Sequence, residues 1–353
     1  MKIIVLPGDG IGPEVAEVAV SCLVLLSQAR GLGLTFEQYD FGGAAIDAHG
    51  EPLPAATLAA CKGADAVLLG AVGGPKWDGA KVRPEQGLLA LRSALGLFAN
   101  LRPARIVPGL EHLSPLKPEI ASGADVLVVR ELIGGLYFGE KTLADDRASD
   151  LCVYTRPEIE RIAHVAFRAA RARRAKLTSV DKANVLATSK LWRRIVTEVA
   201  AGYPDVTLDH LYVDAAAMAI VTHPTRFDVI LTENLFGDIL SDELSVIGGS
   251  IGVLGSSSSG ASGPGLFEPI HGSAPDIAGQ DVANPSGAIA SAAMLLEAIG
   301  FVAESRILLA TLDRTLADGS RTRDLGGTAG CAEFGARVLA LLSAELTPEK
   351  AVA

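Results

Sequence analysis

The fold turns on residues 2–28, KIIVLPGDGIGPEVAEVAVSCLVLLSQ. Residues 2–6 form a short apolar run, the pattern of a buried strand. Gly8, Gly10 and Gly12 then mark a tight turn, and residues 13–28 space their apolar side chains at helical intervals behind Pro13. Proline suits a first helical turn, where its missing N–H would have no partner. The same rhythm continues outward. Strands are expected at 34–40, 66–69, 125–129, 177–180, 208–213 and 229–231, and helices near 54–62, 157–174 and 186–201. Strands alternating with helices define an α/β class with parallel strands. Two stretches break the rhythm. Residues 134–154 alternate short β-like pieces with charged turns and read as a protruding hairpin arm suited to pairing with another subunit. Residues 248–265, with Ser256–Ser259 and GASGPG, have little side-chain bulk and read as a flexible crossover.

The chain has 353 residues, which suits two domains at roughly 150 residues each. With 49% hydrophobic and 20% charged residues it can bury a large core, which excludes a disordered chain. The net charge of −10 argues against nucleic acid as a partner, because phosphate binding needs a basic face. The four cysteines are far apart, with no metal or disulfide spacing, and read as reduced thiols in the cytoplasm. No signal peptide precedes the first strand, and Glu17 and Glu297 interrupt the two longest apolar runs, so no membrane span is expected.

The turn GDGIGPE, Gly8–Glu14, invites a dinucleotide-fold reading with Asp40 on the ribose. Its spacing is G-x-G-x-G, however, and Asp9 and Glu14 bring carboxylates to the helix end that a pyrophosphate would need. A non-Rossmann turn remains, either purely structural or beside a cofactor ring. Arg92, Arg102 and Arg130 lie at element ends where open α/β sheets place ligands, and three planar forks would suit a dicarboxylate. Asp238 and Asp242 in ENLFGDILSD fall on one helix face, and two like charges there call for a cation between them. With Asp214 at another strand end, they suit Mg²⁺ or Mn²⁺. Tyr137 and Lys182 are a candidate proton-transfer pair if a lysine lowers the phenol's pKa. In FEPIHGSAPDIAG, residues 267–279, Ser273 reads as a helix N-cap ahead of Pro275, and Asn284-Pro285 repeats the pattern. His271 and Asp276 flank a glycine-rich approach able to take a base and a ribose, and the acid would repel a 2′-phosphate and so select NAD.

Taken with FANLRP, RELIGGLYFGE, SVDKANVL, YVDAAAM and DLGGTAG, these motifs resemble the β-decarboxylating dehydrogenases along nearly the whole chain, and GPKWD and PEQGLLALR are similar to the isopropylmalate members. The resemblance implies an isopropylmalate-dehydrogenase-like two-domain α/β fold with a shared, largely parallel central sheet, a non-Rossmann cofactor site and a β-arm at the dimer interface. One domain would hold both chain ends, about 1–97 with 250–353, and bind the cofactor; the other, about 98–249, would bind substrate and dimerise. The implied site has Tyr137 and Lys182 in catalysis, and Arg92, Arg102, Arg130 and Asp214 on the substrate. Leu88, Leu91 and Val185 would receive an isopropyl group. Glu85, His271, Gly272, Ser273, Ala274, Pro275, Asp276, Ile277 and Asn284 would bind NAD, and Asp214, Asp238 and Asp242 would bind Mg²⁺ or Mn²⁺, with K⁺ as a candidate activator. Lys182 and Asp214 would reach the site from the second subunit of a homodimer. The implied reaction takes (2R,3S)-3-isopropylmalate to 4-methyl-2-oxopentanoate in leucine biosynthesis. Tartrate/malate or homoisocitrate oxidation is the alternative, and Leu88 argues against it, since an apolar side chain leaves a further polar group unpaired. A redox-free Mg²⁺-dependent lyase or phosphotransferase and a non-catalytic scaffold are readings from other classes.

Overall fold

The computed structural model describes residues 1–107 and 110–347. Residues 1–95 contain β1 (Lys2–Gly8), α1 (Gly12–Arg30), β2 (Thr35–Gln38), α2 (Gly43–His49), α3 (Ala55–Lys62), β3 (Ala66–Ala71) and α4 (Pro84–Ala94). Next come β4 (Ala99–Arg105), α5 (Pro118–Ala121), β5 (Asp125–Glu131), β6 (Lys141–Leu143), β7 (Ala148–Asp150), α6 (Arg156–Arg171), β8 (Lys176–Asp181), α7 (Ala187–Ala200), β9 (Thr207–Tyr212), α8 (Val213–Thr222), β10 (Val229–Thr232) and α9 (Asn234–Ile247). The last third holds β11 (Gly255–Ser259), β12 (Gly265–Pro269), α10 (Ser286–Ala298), α11 (Val302–Ala317) and α12 (Cys331–Leu346). The chain divides into two units, residues 1–95 with 250–353, and residues 96–249. The C-terminal residues 348–353 of the expected terminal domain lie outside the described residues.

In the terminal unit the strand order is β2-β1-β3-β12-β11, parallel except for β11 against β12. All six residues of β3 are buried, as a parallel strand covered on both faces requires. Helix α1 ends at Gly31, whose φ of 66° closes the helix in the left-handed conformation that glycine adopts without a Cβ clash. At 19 residues α1 is long and apolar enough by composition to cross a membrane, contrary to the reading that Glu17 interrupts it. Its stripe of Val15, Ala19, Leu23 and Leu26 is instead buried within the unit, as in a core helix.

In the middle unit β4-β5-β10-β8-β9 are parallel except for β4 against β5. Helix α6 starts with a reciprocal box, in which the backbone N–H and hydroxyl of Thr155 both donate to Glu158 at 2.7 Å. Its face of Ile159, Ile162, Ala163, Ala166 and Phe167 is fully buried. Phe167 stacks on Tyr203 with centroids 4.8 Å apart, and Trp192 meets Tyr154 edge-on at 5.6 Å. Burying each such ring contributes about 2–3 kcal/mol. Strands β6 and β7 form a separate antiparallel ribbon, wholly exposed, with Leu143 at 89% exposure. This ribbon occupies 141–150 of the 134–154 stretch read as an arm, whose end at Tyr154 is buried.

Two local expectations are corrected. The serine-rich stretch is not a loose crossover. Ser256–Ser259 lie in β11, and its small side chains are what allow α10 to lie against it: a Cβ on Gly255 would sit 2.6 Å from the backbone N of Ser291. No helix starts at Ser273 either, because Ala274 takes a φ of +37° and the chain runs on through turns to α10. Asn284 stands one residue before the N-cap Pro285 of α10, and its Oδ1 accepts from the Ser286 N–H at 3.0 Å. Gly255→Val is expected to lower the unfolding free energy by about 1–3 kcal/mol through overpacking against α10, seen as a lower urea midpoint.

Candidate active site

Helix α9 follows the C-terminal end of β10 and presents Asp238 and Asp242 one turn apart. The cation between them is Arg102. Its Nη1 donates to Asp242 Oδ1 at 3.0 Å and to Ser241 Oγ at 2.8 Å, while Nη2 lies 3.7 Å from Asp238 Oδ1. Arg130, buried at the end of β5, donates from Nη1 to the same Asp238 oxygen. Tyr137 Oη donates to Asp238 Oδ2 at 2.7 Å, and the Arg130 guanidinium sits 5.6 Å from the tyrosine ring. Burial alone would raise Asp238, but Arg130, Tyr137 and Arg102 outweigh it and hold the carboxyl below the usual range. Asp242 is more weakly compensated, and burial raises it. Burial, then Asp238, pushes the Tyr137 phenol up to about 12.

That direction is opposite to the one a neighbouring lysine would give. In the single chain Lys182 does not meet Tyr137; its Nζ donates to Asp214 Oδ1 at 2.5 Å, and that contact holds the Asp214 carboxyl low. Lys182 leaves β8 on a turn anchored by buried Asp181, which accepts from the Ala183 N–H at 2.8 Å and from Arg193 Nε and Nη2 at 2.8 and 2.9 Å. Val185, on the same turn, is 63% exposed. Among the described residues no three acids, histidines or cysteines of one chain are grouped to hold a metal, so Asp214 is not brought together with Asp238 and Asp242. An apolar cavity of about 250 Å³ in this unit, lined by Leu136, Cys152, Trp192 and Phe236, contains none of the expected site residues.

In the terminal unit the glycine turn is a structural joint. Asp9 is buried and accepts from the N–H groups of Gly43 at 2.9 Å, Ala44 at 2.8 Å and Gly73 at 2.8 Å, so it holds the start of α2. Burial raises its pKa, and these three donors oppose the rise. Ile11 N–H donates to Ser273 O at 2.8 Å, and a Cβ on Gly10 would lie 1.9 Å from that oxygen, so only glycine lets the turn back onto the 271–279 segment. Glu14 accepts from the Gly279 N–H at 2.6 Å. Asp40, the ribose acid of the conventional reading, pairs with His49 at 2.9 Å.

The 271–279 segment is thus held from behind. Its His271 bonds Gly272 O through Nδ1 at 2.9 Å, while Nε2 is buried with no partner among the described residues. Burial lowers its pKa and keeps the ring neutral. Asp276, Gly272 and Pro275 are exposed, Ala274 and Ile277 half-buried, and Ser273 buried. Asn284 is buried and donates to Asp324 at 2.9 Å. Arg92 donates to Glu268 Oε1 at 2.7 Å in a largely buried pair. On α4, Glu85 is exposed, Leu88 half-buried and Leu91 fully buried, so Leu91 offers no surface to a ligand in this conformation.

Three partners escaped the sequence reading: Glu268, Asp324 and Asn234. Glu268 has a visible signal, an acid inside an apolar strand. Asp324 lies in the DLGGTAG motif, and Asn234 is the second residue of ENLFGDILSD, without a charge to draw notice.

The middle unit thus gathers two strand-end arginines on a pair of carboxylates borne by one helix. A model of the isocitrate/isopropylmalate dehydrogenase family matches residues 2–338. A 3-isopropylmalate dehydrogenase of Streptococcus thermophilus is 54% identical over 342 residues, covering 97% of this chain and 99% of the relative. One from Listeria innocua is 56% identical over 340 residues, covering 96% and 97%. An isocitrate dehydrogenase structure from Methylococcus capsulatus matches with a TM-score of 0.87 at 36% identity, covering 97% of this chain and 99% of that one. A β-decarboxylating dehydrogenase from Thermococcus kodakarensis matches at 0.83 and 39%, covering 100% and 99%. The chain belongs to the isocitrate/isopropylmalate dehydrogenase family.

Two measurements test the site's supports. Asp9→Ala leaves two buried N–H groups and one part-buried N–H without an acceptor and is expected to cost about 2–4 kcal/mol of stability in urea. Glu131, buried beside Arg130, is pushed up to about 7 from 4.5 by burial against the pull of Arg161. Its folded state therefore holds a proton more tightly than the unfolded chain, a stabilisation present below 4.5 and lost as pH rises to about 7. Glu131→Gln should gain on the wild type between those limits, by at most about 3 kcal/mol, and equal pH slopes for the two proteins would sink the idea.

Proposed function

We propose that the chain oxidises and decarboxylates (2R,3S)-3-isopropylmalate to 4-methyl-2-oxopentanoate with NAD⁺, the leucine-biosynthetic reaction of a cytoplasmic enzyme. The observation that carries this reading is the 54–56% identity, across 92–97% of the chain, to proteins named 3-isopropylmalate dehydrogenase. Tartrate/malate or homoisocitrate oxidation is not favoured by those names, and the half-buried Leu88 suits an alkyl group better than a further carboxylate.

Two groups are implied, and the residues fit both. Asp238 and Asp242 offer hard carboxylate oxygens one helical turn apart, the donor chemistry of Mg²⁺ or Mn²⁺, and are at present neutralised by arginines. The unpartnered, buried Nε2 of His271 and the exposed Asp276 suit an adenosine, with the residues from Gly272 to Ile277 around it and Asn284 behind. Glu85 faces the nicotinamide side of this reading. The residues of this cofactor reading all lie in the terminal unit. When bound, the metal polarises the C2 hydroxyl and its carboxylate, and NAD⁺ accepts the hydride from C2.

The chain's own groups do the rest. Arg102 and Arg130 bind substrate carboxylates as planar forks. The C2 hydroxyl gives its proton to Lys182 or an aspartate as the C2 hydride departs. The C3–carboxylate bond then breaks, releasing CO₂ and leaving the electron pair on the enolate. Tyr137 Oη, kept protonated by burial and then by Asp238, delivers a proton to C3. Lys182 pairs with Asp214 and not with this cluster, so we assign them to the site of a second copy in a homodimer, with Asp214 completing the metal set. Exposed Met218 and Val221 on α8, Ile239 and Val246 on α9, and the arm supply the apolar surface a dimer would bury. Val185, exposed beside Lys182, would reach the isopropyl group by the same route, and K⁺ is a candidate activator.

Purified protein with Mn²⁺ and NAD⁺ is expected to generate NADH absorbance on addition of 3-isopropylmalate, and no rise would overturn the proposal. Catalytic efficiency with malate should be lower by about a hundredfold or more, the worth of a filled alkyl pocket. Asp276→Ala should weaken NAD⁺ binding about tenfold or more, since a ribose acceptor is lost.

A further inference from the structure

The cluster around Asp238 is held by a side chain that the reaction scheme does not use. Asn234 opens α9 directly after β10 and is fully buried. Its Oδ1 accepts from Nε and Nη2 of Arg130 at 3.1 and 2.8 Å. Its Nδ2 donates to the backbone oxygens of Leu132 at 2.9 Å and Gly134 at 3.0 Å. Its own N–H donates to Tyr154 Oη at 3.0 Å, and that hydroxyl donates to Glu233 at 3.2 Å. A carboxamide has two acceptor positions and two donors, and here all four are engaged. The oxygen and nitrogen cannot exchange, since the swap would aim donors at a guanidinium and an oxygen at two carbonyls.

We propose that Asn234 is a positioning residue for this reaction, one that sets the guanidinium plane of Arg130 and the path of the chain from Leu132 to Tyr137. The proposal rests on the reading that Arg130 binds a substrate carboxylate and Tyr137 handles a proton. One amide touches the end of β5 and the turn that carries Tyr137, and it opens the helix that carries Asp238 one turn later. It therefore keeps the cation, the phenol and the carboxylate in a single register. The chemistry also explains why an amide serves where an acid would not. A neutral oxygen orients the guanidinium without adding a second carboxylate to the one it already meets in Asp238. An ionised carboxylate at this position would compete with Asp238 and would face two carbonyl oxygens with no proton to give.

Steady-state kinetics of Asn234→Ala and Asn234→Asp in the full chain, with Mn²⁺ and NAD⁺, test this. Each should raise KM for 3-isopropylmalate about tenfold or more and lower kcat, with KM for NAD⁺ within about twofold of wild type. In an Arg130→Lys background Asn234→Ala should add less than about threefold, because the guanidinium it orients is gone. A folded Asn234→Ala with wild-type KM and kcat overturns the proposal, as do equal losses in both KM values or full additivity with Arg130→Lys. If Arg130→Lys alone leaves KM for isopropylmalate unchanged, the reading of Arg130 has failed, and the proposal falls with it. Loss of native circular dichroism in both Asn234 variants would make the residue a support of the fold, which also overturns the proposal.

Discussion

The carboxylate of Asp238 is the constraint around which the middle unit is arranged. It accepts from Arg130 and Tyr137 and lies near Arg102, three groups brought by two strands and a short turn to one helix face. Desolvating a carboxylate is costly, and it is tolerated here because the cations are in place before any ligand arrives. Those cations are partly buried themselves, so each sign of charge makes the other possible. Remove the acid and Arg130 becomes an uncompensated buried charge. Remove Arg130 and Asp238 keeps only the longer contact with Arg102 and the Tyr137 hydroxyl. The site is poised: a ligand with its own anionic groups and a cation that accepts carboxylate oxygens would replace these contacts with like chemistry rather than create them in an empty cleft.

The terminal unit solves a different problem by the same means. Asp9 and Glu14, which looked out of place at the start of α1, are both satisfied by backbone N–H groups from distant loops. A carboxylate that takes three N–H bonds is a rigid pin, because each donor fixes a different segment. The glycine turn therefore governs the candidate cofactor segment from behind, through Ile11 and Gly10 against Ser273. Its glycines answer to close backbone approach, not to a phosphate.

What could be read in advance divides along the range of the forces involved. Apolar periodicity is local, so β1, β3, β5, β8 and β10 and the long helices lay within reach of the sequence. Strand β11 did not, because its serines carry no apolar signal and its burial comes from α10 some thirty residues later. The supposed cap at Ser273 failed on one backbone angle, the left-handed Ala274. In the site, Asp238 and Asp242 were legible through their spacing. Their charge partners were not, since Arg102 and Arg130 reach them across more than a hundred residues. Tyr137 shows the limit most clearly. Its chemical type suggested a proton-transfer role, but the direction of its shift depends on whether Asp238 or Lys182 lies beside it.

The interrupted course of the terminal unit bears on how the molecule is made. Strand β12 lies between β3 and β11, so β3 has an unpaired edge until residue 269 has left the ribosome. By then the whole of residues 96–249, contiguous and with its own core, has been synthesised. A nascent chain thus completes its middle before its beginning, and the apolar face of α1 must wait for α10 and α12. During that interval an open strand edge and a sticky helix are exposed together, which makes the first ninety-five residues the segment that a chaperone has most reason to meet.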